Sequence, residues 1–227
     1  MLNIEQIVRR RKTSKLLLDP SRQADEPLPE EYQEELRQML ESAGWAPFHK
    51  PADRVHLQGD LPSVVPWRFY VLDRTAGKRL NQAIKSLAEQ QPDSGWSRAW
   101  SSKIPKLVAA AGYLVQVTWL PDPGVNGGSP ELSERNIEHI AAASAAIQNL
   151  LLCAEARGWY SYWSTGGILK EEEILELLGI PTNQKLLGAI FLTPGDLPHD
   201  KALPGALRLK RGKVEEWTKW VALESSF

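Results

Sequence analysis

Residues Arg135 to Arg157 form a stretch that is apolar almost all round at helical spacing, and Ala141, Ala142, Ala143, Ala145 and Ala146 let neighbouring backbone approach closely. A helix with no polar face has to be enclosed, so the rest of the chain is expected to wrap around it or a second copy to cover it. Gly158 supplies its stop. The most apolar part, Ala141 to Ala156, is interrupted by Ser144, Gln148 and Asn149 and falls short of the ~20 residues that span a bilayer, so no membrane association is expected.

The elements around it alternate in type. Asn3 with Gln6 reads as a capping pair that opens a short helix through Lys12. Glu30 to Gly44 places Tyr32, Leu36, Met39, Leu40 and Ala43 on one helical face, and Thr75 to Glu89 does the same with Leu80, Ile84, Leu87 and Ala88. WRFYVL (67–72), Ala110 to Trp119, WYSYW (159–163) and LLGAIFLT (186–193) are rich in aromatic and β-branched residues and read as strands. Lys170 to Leu178 reads as a short helix closed by Gly179 and Pro181. Between Pro47 and Pro66 the breakers Pro51, Gly59 and Pro62 predict a long irregular loop. No internal repeat or linker divides the 227 residues, and a single domain over 1–227 is expected.

Composition removes several function classes. Lysine plus arginine (27) against aspartate plus glutamate (28) leaves a net charge of −1, which gives no field for nucleic acid or an anionic membrane. One cysteine, Cys153, permits no internal disulfide and fits a reducing, cytoplasmic compartment. The basic N-terminus lacks the apolar run and cleavage site of a secretory signal. His49, His56, His139 and His199 are too scattered in sequence to suggest a metal site. No phosphate-loop, zinc-protease, nucleophile-elbow or dinucleotide signature occurs, and GVNGG (124–128) reads as a turn.

What remains is an ordered set of weak motifs: RRKTSK from Arg10, APFHK from Ala46, PWRF from Pro66, and QNLLLCAEARG from Gln148, followed by YWSTGG from Tyr162. In this order they resemble the R-R-S-x-x-R, A-P-x-H-K, P-W-R-F and Q-N-L-L-L-A-A-x-x-x-G segments of the nitroreductase family, nearest to its minimal members with A-P-x-H-K. The resemblance covers Ile4 to about Gly195. It implies an α+β fold, a three-layer sandwich with a central, mostly antiparallel sheet flanked by helices. It further implies a homodimer with FMN at the subunit interface, reduced by NADH or NADPH and reoxidised by a nitroaromatic, quinone or related conjugated acceptor in ping-pong order.

Carried over position by position, the resemblance assigns Arg10, Arg11 and Lys12 to the cofactor's phosphate side. Trp45 and His49 are assigned to its partner-subunit side, and Trp163, Ser164, Thr165 and Gly166 to the ring. Arg208 and Arg211, with Lys210, match the C-terminal basic cluster that completes the phosphate site. Lys12 stands where the family commonly has serine, and Lys15 where it has arginine, so charge is kept while the hydroxyl moves to Thr13 or Ser14. Guanidinium groups suit a phosphate, and glycine with backbone amides suits a flat ring at close range. No side chain is assigned as a catalytic acid or base, because the flavin carries the hydride chemistry. The loop from Lys50 to Pro66 is longer than the family's usual connection and is expected to shape acceptor choice. Two alternatives stay open on the residues: a flavin-binding or flavin-sequestering protein with little turnover, and a nucleic-acid or partner surface built on RRRK and LRLKRGK.

Overall fold

The computed structural model describes residues 3–123 and 133–221. Its elements run α1 (Ile4–Arg10), β1 (Ser14–Leu17), α2 (Glu30–Gly44), β2 (Trp67–Leu72), α3 (Arg74–Gln90), α4 (Gly95–Trp100) and α5 (Ile104–Ala110). They continue with β3 (Tyr113–Trp119), α6 (Glu134–Ala156), β4 (Tyr160–Ser164), α7 (Glu172–Leu177), β5 (Lys185–Thr193) and β6 (Lys201–Pro204). The GVNGG segment lies outside the described residues.

Four strands form an antiparallel sheet in the order β2-β3-β5-β4, with Tyr70 opposite Gln116, Val115 opposite Ile190, and Trp163 opposite Ile190 on the far side. Strand alternation sends successive side chains to opposite faces, and the two faces have separate cores. On one, Tyr113, Val115, Val117, Ile190 and Leu192 pack against Leu36 and Met39 of α2 and Ile147 and Leu150 of α6. On the other, Leu114, Ala189 and Phe191 pack against Leu80 and Ile84 of α3, Trp96 of α4, Leu107 of α5 and Ile174 of α7. Helices on both faces of an antiparallel sheet make the three-layer α+β arrangement that the resemblance implies.

The alanine-rich helix is α6, opened by Ser133, whose hydroxyl accepts from the Asn136 amide at 3.2 Å. At 23 residues it is long and apolar enough by composition to cross a membrane, contrary to the sequence expectation. Its Ala143, Ala146, Ile147, Leu150 and Ala154 are nevertheless fully enclosed in the protein's own core.

Three local expectations are corrected. The strand expected from Ala110 starts only at Tyr113, because Ile104–Ala110 is helical. Pro105 sits in the first turn of that helix, the Ser102 hydroxyl accepts from the Ile104 amide, and alanine is the best helix former. The first helix ends at Arg10 rather than Lys12, its capping box closed by 2.9 Å bonds in both directions between Asn3 and Gln6. The helix expected from Lys170 to Leu178 is a 3-10 turn over Gly167–Lys170 followed by α7.

A second sheet, absent from the sequence reading, pairs β1 with β6, Ser14 opposite Pro204 and Leu17 opposite Lys201. This pairing draws the C-terminal segment onto the residues that follow α1.

Candidate functional site

The β1–β6 pair places two basic segments side by side. The Gly205 amide donates to the Thr13 carbonyl at 3.0 Å, and a side chain at 205 would meet Thr13 Cβ at 2.8 Å, so the two backbones touch. Just beyond, Arg208 donates to the carbonyl oxygens of Arg9 and, at 3.1 Å, Arg10. Those carbonyls are among the last of α1 and have no intrahelical partner, so a guanidinium there both caps the helix and meets its negative dipole end.

Arg10 pairs with Glu155 of α6 at 3.4 Å. Arg11, the next residue, is half-buried, and its guanidinium is held below its ordinary pKa first by burial and then by the charges of Arg211 and Arg208, with Glu155 opposing. Three guanidinium groups therefore share a small region with one nearby carboxylate. Such a surplus of like charge favours an anion, since a phosphate would relieve the repulsion and accept fork-geometry hydrogen bonds. Lys12 is exposed beside it, and the Lys15 ammonium lies 4.8 Å from the Tyr162 ring centroid in a cation–π contact.

Tyr162 belongs to β4, which ends at the second group of assigned residues. Trp163 packs with the α2–α6 core, and its indole lies directly across Gly188 of β5, leaving no room for a side chain there. Ser164 is buried, and its hydroxyl accepts from the Gly166 amide at 3.3 Å. Thr165 is exposed. Gly166 and Gly167 follow at φ +102° and +56°, conformations that L side chains rarely adopt, and a Cβ at 166 would come within 2.8 Å of Leu186. The chain thus turns sharply here, with Gly166 buried against Leu186 and Gly167 exposed.

Trp45 and His49 do not join either group within the chain. Trp45 is 84 % exposed at the C-cap of α2, and among the described residues neither side chain makes a hydrogen bond or ring contact. The neighbouring Phe48 is fixed, its ring edge-on to Trp67 at 5.9 Å.

The loop from Lys50 to Pro66 is ordered rather than irregular throughout. It carries a 3-10 turn over Arg54–Leu57, and its ends are joined by the Ala52 amide donating to the Val64 carbonyl at 2.8 Å. Arg68 of β2, buried and without a carboxylate partner among the described residues, donates to the carbonyls of His56, Ser63, Val65 and Trp67 at 2.7–3.1 Å. The motif P-W-R-F contained this brace, but nothing in its spacing shows that the arginine folds back onto the preceding loop. His56 bonds the Pro121 carbonyl and His139 the Leu120 carbonyl, each at 2.7 Å, so these two histidines are core residues that fasten the end of β3. Among the described residues no cluster of histidine, cysteine, aspartate or glutamate could hold a metal.

The Nitroreductase family profile matches residues 24–193, three quarters of the chain. The chain belongs to the nitroreductase family. Among nitroreductase relatives, YfhC of Bacillus subtilis (strain 168), named as a candidate NAD(P)H nitroreductase, is 28% identical over 167 residues, covering 72% of this chain and 74% of that protein. A nitroreductase-like family protein from Bacillus cereus superposes with a TM-score of 0.58 at 20% identity, covering 95% and 97% of the two chains. The nitroreductase with bound FMN from Bacteroides fragilis gives 0.55 at 20% identity, covering 89% and 95%. At that identity the structural likeness establishes the fold.

Proposed function

We propose that this chain is an FMN-dependent oxidoreductase that draws on NADH or NADPH and reduces nitroaromatic, quinone or related conjugated acceptors in ping-pong order. It works as one domain per subunit of a cytoplasmic homodimer, with flavin at the interface. The observation that carries the reading is the surplus of charge at Arg11, Arg208 and Arg211, with Glu155 the one carboxylate acting on Arg11 among the described residues. FMN ends in a phosphate, and this cluster fits it. The name of the B. subtilis relative supplies the nicotinamide reductant, and the bound FMN of the B. fragilis structure supplies the cofactor.

Bound FMN would supply the hydride and electron chemistry. The chain's part is placement. Arg11 and Arg211 hold the phosphate, Arg10 is kept on Glu155, and Arg208 fixes the end of α1 from which Arg11 projects. The exposed turn at Thr165 and Gly167 meets the ring, beside a Trp163 indole packed over Gly188. No acid or base side chain is required, since solvent supplies protons.

The homodimer rests on surfaces the chain leaves uncovered. α1 buries none of its side chains, with Ile4 and Val8 exposed, and Leu207, Leu209, Trp217, Trp220 and Val221 of the tail are open to solvent. Apolar surface of this extent calls for a partner, and a second copy would also bring Trp45 and His49 to the neighbouring flavin. Sedimentation of the purified protein and initial rates at varied NADH and nitro-acceptor concentrations test this: a dimer with parallel double-reciprocal lines supports it, a monomer or intersecting lines contradict it.

A further inference from the structure

The sheet face toward α3 and α7 is apolar except for a polar strip, in which Tyr70 of β2 stands opposite Gln116 of β3, two residues from Thr118. Gln184, just before β5, is 7 % exposed, and its Oε1 accepts from Thr118 Oγ1 at 2.6 Å and from the Tyr70 hydroxyl at 3.1 Å. With Oε1 turned to the two hydroxyls, the NH₂ of the amide is turned away from them. That nitrogen bonds to nothing among the described residues and is not sealed from solvent. It belongs to the wall of a cleft of about 700 Å³ between α7 and the start of β5.

The cleft's apolar walls are Leu175, Ile180, Pro181 and Leu186, all aliphatic. Lys170 and Lys185 line it too, and neither has an ion-pair partner among the described residues. Lys170 and Leu186 close on Gly166, where a Cβ would lie 3.7 and 2.8 Å from them, so both walls meet at one end of the cleft. Glu172 and Glu176 stand on the α7 side and disfavour a second negative charge in any occupant.

We propose that this cleft binds a small aliphatic monocarboxylate. The carboxylate accepts from the Gln184 amide and from the two lysines, and the chain lies on the aliphatic walls. A carboxylate has acceptors only, which matches a site that offers N–H donors, and the size of the cleft is within the range of small-molecule sites. The site is separate from the arginine cluster, adjoins the Gly166 turn at one end, and recognises its ligand without a flavin contact.

Calorimetric titration of the protein as purified with hexanoate, and with 1-hexanol as its neutral counterpart, tests the proposal. Hexanoate is expected to saturate and to bind at least about tenfold more tightly than hexanol, the scale of one charge-assisted interaction. Gln184→Glu keeps an oxygen for Thr118 and Tyr70 but turns the donor edge into a negative charge, and hexanoate affinity falls at least about tenfold. Lys185→Gln, at an exposed position that leaves the strip intact, weakens hexanoate with unchanged thermal unfolding. Absence of hexanoate binding at millimolar concentration, equal binding of hexanol, or unchanged affinity in Lys185→Gln overturns the proposal.

Discussion

The Arg208 guanidinium donates to the Arg10 carbonyl at 3.1 Å, across 198 residues of sequence. This bond joins the C-terminal basic segment to the end of α1 and brings two distant runs of positive charge together. Sequence matching gave Arg208 and Arg11 the same role. In the structure Arg208 donates to backbone carbonyls, and Arg11 is half-buried among like charges.

Arg11→Ala should therefore weaken FMN far more than riboflavin, which lacks the phosphate. Hydrogen bonds to charged groups contribute about 1.5–3 kcal/mol, so the FMN dissociation constant should rise about 10- to 150-fold. Fluorescence titration of both flavins checks this, and an equal loss for the two would remove the phosphate assignment.

Gly188→Ala should destabilise the fold through Trp163. The indole fills the space a Cβ would need, and overpacking typically costs about 1–3 kcal/mol. Thermal unfolding should fall by about 2–4 °C per kcal/mol for a chain of this size. A midpoint unchanged from wild type would mean that the indole can swing aside at no cost.

Arg68→Met should loosen the 50–66 loop while the sheet stays folded. The substitution removes every donor that serves the carbonyls of His56, Ser63, Val65 and Trp67, at a cost of about 2–3 kcal/mol. Limited proteolysis should then cut within 50–66 in the variant and not in the wild type. Equal resistance would show that the Ala52–Val64 bond and the His56–Pro121 bond hold the loop unaided.

The exposed first turns of α2 should respond to acid late. Hydrogen bonds from Arg37, then Gln38, bring the Glu34 carboxyl from its ordinary 4.5 down to about 2. A depressed folded pKa contributes stability above pH 4.5 that is lost as the pH falls through about 2. Carboxyl NMR titration should find a Glu34 midpoint near 2 that returns toward 4.5 in Arg37→Ala. A midpoint near 4.5 in the wild type would show that the pair does not persist in solution.

The long elements were readable because their signals are local. α2 and α3 show apolar periodicity over 15 and 17 residues, α6 is 23 residues long and apolar almost all round, and β2 and β5 are bounded runs of strand formers. β1 and β6 were not, since each is four residues long, and their pairing is set by contact between distant segments rather than by any pattern in either. α5 was hidden because its alanines adjoin the strand residues of β3 and carry no periodicity of their own. At the candidate site, residue types and order pointed to the arginines and to Gly166. The backbone contacts of Arg208, the brace from Arg68 and the hydrogen bonds of Gln184 depend on where side chains fold back, which spacing does not encode.

The central claim is that this nitroreductase fold holds FMN and accepts electrons from a nicotinamide. The most direct test is the absorbance of the purified protein between about 300 and 550 nm, supplemented with FMN and freed of excess, before and after anaerobic NADH or NADPH. Protein-bound flavin bands that bleach on addition of either nucleotide are the expected result. Bands that persist with both would leave a flavin-binding protein without this reductant, and a colourless protein after FMN addition would contradict the account.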